Sequence, residues 1–392
     1  MTARKILFWI HLSAGVAAGV VILILSLTGM LLSFERQIKS WSDRAYAIAA
    51  STDRAPIGRI VSAACTSRGA VPTMVRVSAD PTDPVELAFE NNYRVLVNPH
   101  NGVVVWEGQD RLYRVFSGVE QWHRWLGASN GSKSWQRELT GAANLAFLLL
   151  LASGPFLWWR NLASWERLKK ALWFRKTHSS RGRNLNWHDV AGAWCVVPLF
   201  VVSLTGVLMS YAWATDLLYR MTGANAGTER AVGGPGRLGQ PRKAQDDGAG
   251  VDWNTLDALF QRAEGQVANW RTITLRLPSS RGSANFVIET GGGGRPDQRF
   301  QLVLDPRTGD VQRWEAFSNY SLGRRLRAWA RFVHTGEAAG LGGQAVGFMA
   351  CTGGALLVWS GLSLAIHRFV RWRKRVGPVE TISTEEETAS LQ

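Results

Sequence analysis

Residues 6–34 read ILFWIHLSAGVAAGVVILILSLTGMLLSF, a run whose only ionisable side chain is His11. At about 1.5 Å of rise per residue, a helix of this length exceeds the ~30 Å hydrocarbon core of a bilayer. Residues 139–159, 189–213 and 341–366 have the same character. A soluble chain of 392 residues has no use for four such runs, so the sequence reads as a mainly α membrane protein with four transmembrane helices. The first run follows Arg4 and Lys5, is too long for a signal peptide and has no small-residue cleavage site after it, which predicts an uncleaved anchor.

The short loop after the second run sets the orientation. Between residues 160 and 187 lie Arg160, Arg167, Lys169, Lys170, Arg175, Lys176, Arg181 and Arg183, opposed by Glu166 alone. Arg368, Arg371, Arg373, Lys374 and Arg375 follow the fourth run. Basic residues in short loops stay cytoplasmic, so both termini are expected inside and the protein in a bacterial inner membrane. The expected boundaries are helices at 1–34, 137–160, 188–213 and 338–367. Periplasmic segments fall at 35–136 and 214–337, with a cytoplasmic basic loop at 161–187 and a tail at 368–392. The net charge of +15 follows from this topology and does not call for nucleic acid. The lipid bilayer is the expected partner. Cys65, Cys195 and Cys351 form no metal or disulfide motif, and no hydrolase triad or zincin signature is visible.

The chain repeats itself. Trp9-Ile10-His11-Leu12-Ser13-Ala14-Gly15, followed by Ser26-Leu27-Thr28-Gly29, matches Trp187-His188-Asp189-Val190-Ala191-Gly192, followed by Ser203-Leu204-Thr205-Gly206. Asn98-Pro99-His100-Asn101-Gly102 parallels Asp305-Pro306-Arg307-Thr308-Gly309. Ser153-Gly154 and Ser360-Gly361 sit at matching offsets in helices two and four. Two parallel repeats are expected, each a helix out, a small periplasmic α+β domain and a helix back. Helices are predicted at 57–67 and 255–264, and strands at 71–79, 85–90, 93–98, 103–107, 270–277, 284–289 and 299–304. The stretch 223–250 reads as a linker. Gly291–Gly294 reads as a loop, lacking the Lys-Ser/Thr of a phosphate-binding motif.

Seven histidines sort by depth under this topology. His11, His188 and His367 fall at the inner face, His123 and His334 at the outer face, His100 in an outer turn and His178 in the basic loop. A lone histidine at a membrane boundary is ordinarily a polar interfacial residue, but symmetric pairs at two depths point to cofactor ligands. Zinc needs about four ligands at one depth, whereas two imidazoles suit haem iron. Gly15 and Gly192, one turn from His11 and His188, would leave room beside a flat macrocycle. Gly29 and Gly206 lie eighteen residues beyond the same histidines, roughly 27 Å along the same helix face. Close helix packing is the other reading of these four glycines. The inner ligand set stays open between His11, His188 and His367. Arg4, Lys5 and Arg183 inside, and Arg36, Arg124 and Arg331 outside, are candidate propionate partners or interfacial anchors.

Trp122-His123-Arg124-Trp125-Leu126-Gly127, His11-x3-Gly15 with Thr28-Gly29, Trp187-His188 with Thr205-Gly206, and Phe332-Val333-His334-Thr335-Gly336 resemble the PepSY-associated transmembrane family. The two Pro-Gly turns close segments that look like PepSY domains. The resemblance spans nearly the whole chain. It implies an iron-regulated inner-membrane ferric-siderophore reductase, of the kind acting on ferrioxamine. It also implies two haem b groups held by His11, His123, His188 and His334, fed by a cytoplasmic donor or a quinol. The residues also admit a PepSY-type binding or regulatory protein without redox activity, or a haem or iron-chelate transporter.

Overall fold

A computed structural model describes residues 2–51, 53–128, 133–158, 164–225, 227, 229, 253–277 and 283–376. Trp159, Arg160 and most of the expected linker lie outside these residues. The chain opens with α1 (Ala3–Leu32), which continues past a bend into α2 (Glu35–Asp43). Next come α3 (Ile57–Arg68) and strands β1 (Met74–Ser78), β2 (Val85–Ala88), β3 (Tyr93–Val97) and β4 (Val104–Gln109). Helices α4 (Arg111–Trp125) and α5 (Lys133–Trp158) return to the bundle, and α6 (Trp165–Leu172) precedes α7 (Ser180–Ser210). The second half continues with α8 (Ala212–Met221), α9 (Leu256–Glu264), β5 (Thr272–Arg276), β6 (Ala284–Glu289), β7 (Arg299–Leu304) and β8 (Val311–Glu315). It closes with α10 (Leu322–His334) and α11 (Gly340–Val376).

The spans 3–46, 135–158, 180–210 and 337–374 are long and apolar enough to cross a membrane. Helices α1, α5, α7 and α11 pack as a bundle in which α1 and α7 each touch both α5 and α11. The bundle core holds Ala18, Ile22, Ala143, Phe147, Leu151, Leu199, Ala350 and Val358. Val20, Val197, Phe156 and Met349 face outward, more than half exposed, as an apolar lipid-facing surface requires. Small residues let the helices approach: a methyl on Gly354 would stand 2.9 Å from Ser26 Oγ.

The two expected α+β domains are not separate. Their strands form one antiparallel sheet in the order β4-β3-β2-β1-β5-β6-β7-β8. Each half is a four-stranded meander that would leave β1 or β5 as an open edge. Pairing Val75 with Leu275 and Arg76 with Thr274 satisfies both edges at once. Alternation gives the sheet two faces. Val75, Val77, Leu87, Ile273, Leu275, Phe286 and Leu302 point to one side and form a single core with α3 and α9. The opposite face carries Arg76, Glu86, Arg94, Thr274, Arg276, Arg299 and Glu315, by the same register.

The matched turns have matched geometry. Asn98 Oδ1 accepts from His100 N at 2.8 Å and Asp305 Oδ1 from Arg307 N at 2.8 Å, with Gly102 and Gly309 at φ of 75° and 73°. That left-handed conformation suits glycine. Strand β8 and the amphipathic helices α4 and α10 go beyond the elements expected from sequence. Asp110 caps α4, accepting from Leu112 N at 2.8 Å, and Ser321 caps α10 through Arg324 N at 3.2 Å.

Arg94, nearly fully buried, ties sheet to helices. Its guanidinium meets Glu86 at 2.7 Å, Asp43 at 3.2 Å and Asp110 at 3.6 Å, and lies 3.8 Å from the Tyr113 ring. Tyr113 Oη donates to Asp43 at 2.7 Å. This cluster joins β3 to α2 and to the start of α4. Replacing Arg94 by alanine leaves Asp110 buried without its cation and Glu86 with Arg76 alone, a loss of about 3–5 kcal/mol. Thermal unfolding of the detergent-purified protein should show a clearly lowered midpoint for Arg94→Ala, and an unchanged midpoint would refute this role.

Candidate functional site

Four of the seven histidines share one local arrangement. His11 on α1 places Nδ1 2.8 Å from Ser153 Oγ on α5. His123 on α4 places Nδ1 2.9 Å from Thr28 Oγ1 on α1. His188 on α7 has Nδ1 3.1 Å from both Ser360 Oγ and Leu357 O on α11. His334 on α10 has Nδ1 2.9 Å from Val202 O and 3.3 Å from Thr205 Oγ1 on α7.

The partners of Nδ1 bear on the tautomer. Thr28 Oγ1 donates to Ile24 O at 2.6 Å, Ser153 Oγ to Leu150 O at 3.2 Å, Thr205 Oγ1 to Val201 O at 2.8 Å and Ser360 Oγ to Leu356 O at 2.6 Å. The carbonyls of Leu357 and Val202 can only accept, so Nδ1 carries the hydrogen in His188 and His334 and Nε2 keeps its lone pair. Thr28 and Ser153 each have a carbonyl of their own helix to donate to, which leaves their oxygens able to accept from His123 and His11 in the same tautomer. That is the state in which histidine binds a metal, with a fixed ring orientation.

A glycine follows each hydroxyl and lies against the ring. A methyl on Gly29, Gly206 or Gly361 would stand 3.4 Å from Cε1 of His123, His334 or His188, and one on Gly154 would stand 3.9 Å from Cε1 of His11. Gly29 and Gly206 thus back the outer imidazoles. Gly15 and Gly192 instead meet Leu150 and Leu357, at 3.9 and 3.6 Å from a built methyl.

The halves bring their histidines together. The His123 and His334 rings have centroids 6.2 Å apart, with planes at 60°. Metal–nitrogen bonds of about 2.0–2.1 Å put two imidazoles sharing one metal at about 6 Å between centroids. His188 lies within electrostatic reach of His11. Burial, and after it the neighbouring His334, pushes His123 down to about 4, and burial lowers His334 too. Both outer rings are neutral at neutral pH, as ligation requires.

His367 is exposed near the end of α11, six residues beyond Gly361, and its carbonyl accepts from Arg371 Nε at 3.2 Å. His100 bonds Asp53 O and Pro81 O within its domain. No group of three or more His, Cys, Asp or Glu side chains able to hold a metal ion occurs among the described residues. Two imidazoles per level, from residues 11 and 188 and from 123 and 334, are a donor set that haem iron could take, since its macrocycle would fill the remaining positions. The hydroxyl anchors Thr28, Ser153, Thr205 and Ser360 have no role in the sequence reading. Their signal was a Ser/Thr-Gly pair in each of the four membrane helices.

Residues 8–368 match the family model of the PepSY-associated TM region, and the chain belongs to that family of integral membrane proteins. No curated protein matches it.

Thr28→Val keeps the shape but removes the oxygen that receives His123 Nδ1–H. Outer-site affinity in a haem titration should fall roughly 10–100-fold, as for other lost partners of ligating histidines, with Thr28→Ser restoring it. Equal affinity for valine and threonine would show the hydroxyl to be incidental.

Proposed function

We propose that this protein is a haem-containing inner-membrane reductase that passes electrons across the membrane to a ferric siderophore in the periplasm. On this reading its termini are cytoplasmic and its halves are two parallel repeats. The observation that carries the proposal is the outer pair: two neutral imidazoles, both anchored through Nδ1, with centroids 6.2 Å apart. His123 and His334 would hold one haem b, and His11 and His188 the other. Haem iron supplies one-electron transfer when bound at these positions.

The chain's own residues do the positioning. Ser153, Thr28, Ser360 and Thr205 bond Nδ1 of the four rings, and Gly154, Gly29, Gly361 and Gly206 leave room for the Cε1 edge of each ring beside the helix. Helix α1 carries His11 near one end and Thr28 seventeen residues on, so the two levels are roughly 26 Å apart along its axis. The apolar bundle between them excludes water. A ferric chelate is a fitting acceptor because siderophores hold Fe(III) far more tightly than Fe(II), so reduction releases the metal. The motifs' resemblance to ferric-siderophore reductases is the ground for this substrate class, and membership of the PepSY-associated family supplies its membrane setting. The electron donor would be a cytoplasmic reductant or a quinol.

Protein expressed with a haem supply should be coloured, with visible bands that sharpen on dithionite. A colourless preparation sinks the proposal. His123→Ala should retain about half of the haem, because one of two ligand pairs is broken, and should stop reduction of an external ferric chelate. Full haem content in that variant would reject the outer pair.

A further inference from the structure

The two halves match at the outer histidines and differ two turns before them. Asp110 caps α4 and Ser321 caps α10, and His123 and His334 stand at the same distance beyond these caps. Two turns before each histidine, α4 carries Phe116 and α10 carries Arg327. Phe116 is buried, and Lys39, which lies 5.6 Å from its ring, is paired with Glu35. About one turn before each histidine the contrast repeats, with Glu120 on α4, held 2.8 Å from Arg124, and Arg331 on α10.

Arg327 lies on the face of α10 that carries His334. Gly323, Arg327, Ala330 and His334 follow the i, i+4, i+7, i+11 spacing of one helix face. Gly323 meets Tyr219 of α8, since a methyl there would stand 2.7 Å from Cδ1, and His334 meets Val202 and Thr205 of α7. Arg327 sits between these contacts, half-buried, about 10 Å along the axis from His334 at the helix rise. Two of the other arginines of α10 have polar partners: Arg324 meets Glu315, and Arg325 donates to Ser318 O at 2.5 Å. Arg331 is exposed and lies 5.7 Å from the Phe332 ring. Arg327 makes no hydrogen bond or ion pair among the described residues. Burial pushes it below the usual arginine range, and the group that opposes the shift is the buried Tyr219 rather than a carboxylate.

A half-buried guanidinium without an anion costs free energy, and a phenylalanine at the matching place shows that the fold needs no charge there. A haem is nearly symmetric about its iron and asymmetric at its rim, where both carboxylates project from one edge. Two imidazoles related by the repeat do not tell the edges apart, whereas a cation on one half alone does. A guanidinium fork matches a carboxylate better than any other side chain. We propose that Arg327 binds a carboxylate of the haem held between His123 and His334, and so fixes which edge of the macrocycle turns toward α10. This rests on the haem reading of the outer pair, but cofactor binding can be measured without electron transfer.

Protohaem IX dimethyl ester keeps the iron and the ring but carries no carboxylate charge. Haem and its ester can each be titrated spectrophotometrically into the full-length, haem-free protein in detergent, in a His11→Ala background that leaves the outer pair as the complete one. Haem should bind more tightly than the ester by about tenfold or more, the worth of a charge-assisted hydrogen bond. Arg327→Gln should remove that preference by weakening haem and leaving the ester unchanged. Arg327→Lys should keep part of it. A preference that survives in the glutamine variant overturns the proposal, because the carboxylates then bind elsewhere. Equal losses for haem and ester also overturn it, and would make Arg327 a structural residue. A parent protein that binds both equally rejects this inference and leaves the reductase reading standing, whereas one that binds neither sinks both.

Discussion

Everything at the candidate site depends on where four hydroxyl protons go. In a membrane helix a serine or threonine hydroxyl donates to the carbonyl one turn back, because no water competes for it. That ordinary bond leaves the oxygen able to accept. An imidazole packed against it can then donate through the facing nitrogen, which leaves the far nitrogen basic. The helix backbone, rather than a charged partner, thereby prepares the ring. A carboxylate would do the same electrostatically, but burying it here would cost far more than burying a hydroxyl already satisfied by its own helix.

The glycines complete this device. With a hydroxyl at one position and no side chain at the next, each helix offers an anchor beside a flat surface. The arrangement occurs on all four membrane helices, always facing a histidine from a neighbour of the same half. Each half therefore orients its own rings, while each pair needs one ring from either half. Orientation is local and pairing is global.

The sequence makes the local part legible. Charge-free runs mark the four spans, and equal spacings from His11 and His188 to Thr28-Gly29 and Thr205-Gly206 mark the levels. The strands from residue 85 to 109 and from 284 to 304 follow from alternation. Alternation tells which side chains share a face but not which edge meets which, so the joining of β1 to β5 could not be read. Helices α4 and α10 went unread because Leu322–His334 carries four arginines and a histidine, and its amphipathic pattern is short. Their capping residues, Asp110 and Ser321, were the available signal.

The seam between β1 and β5 joins residues about two hundred positions apart. Until Thr272–Arg276 has been synthesised, β1 is paired by β2 on one edge only and His123 on α4 has no second imidazole to meet. Helix α4 waits with one imidazole, which is too few for a stable bis-histidine centre. The outer pair of imidazoles thus comes together only after the second half has been made and has joined the sheet. The long connection that slows the last folding step also sets the order in which the chain becomes chemically competent.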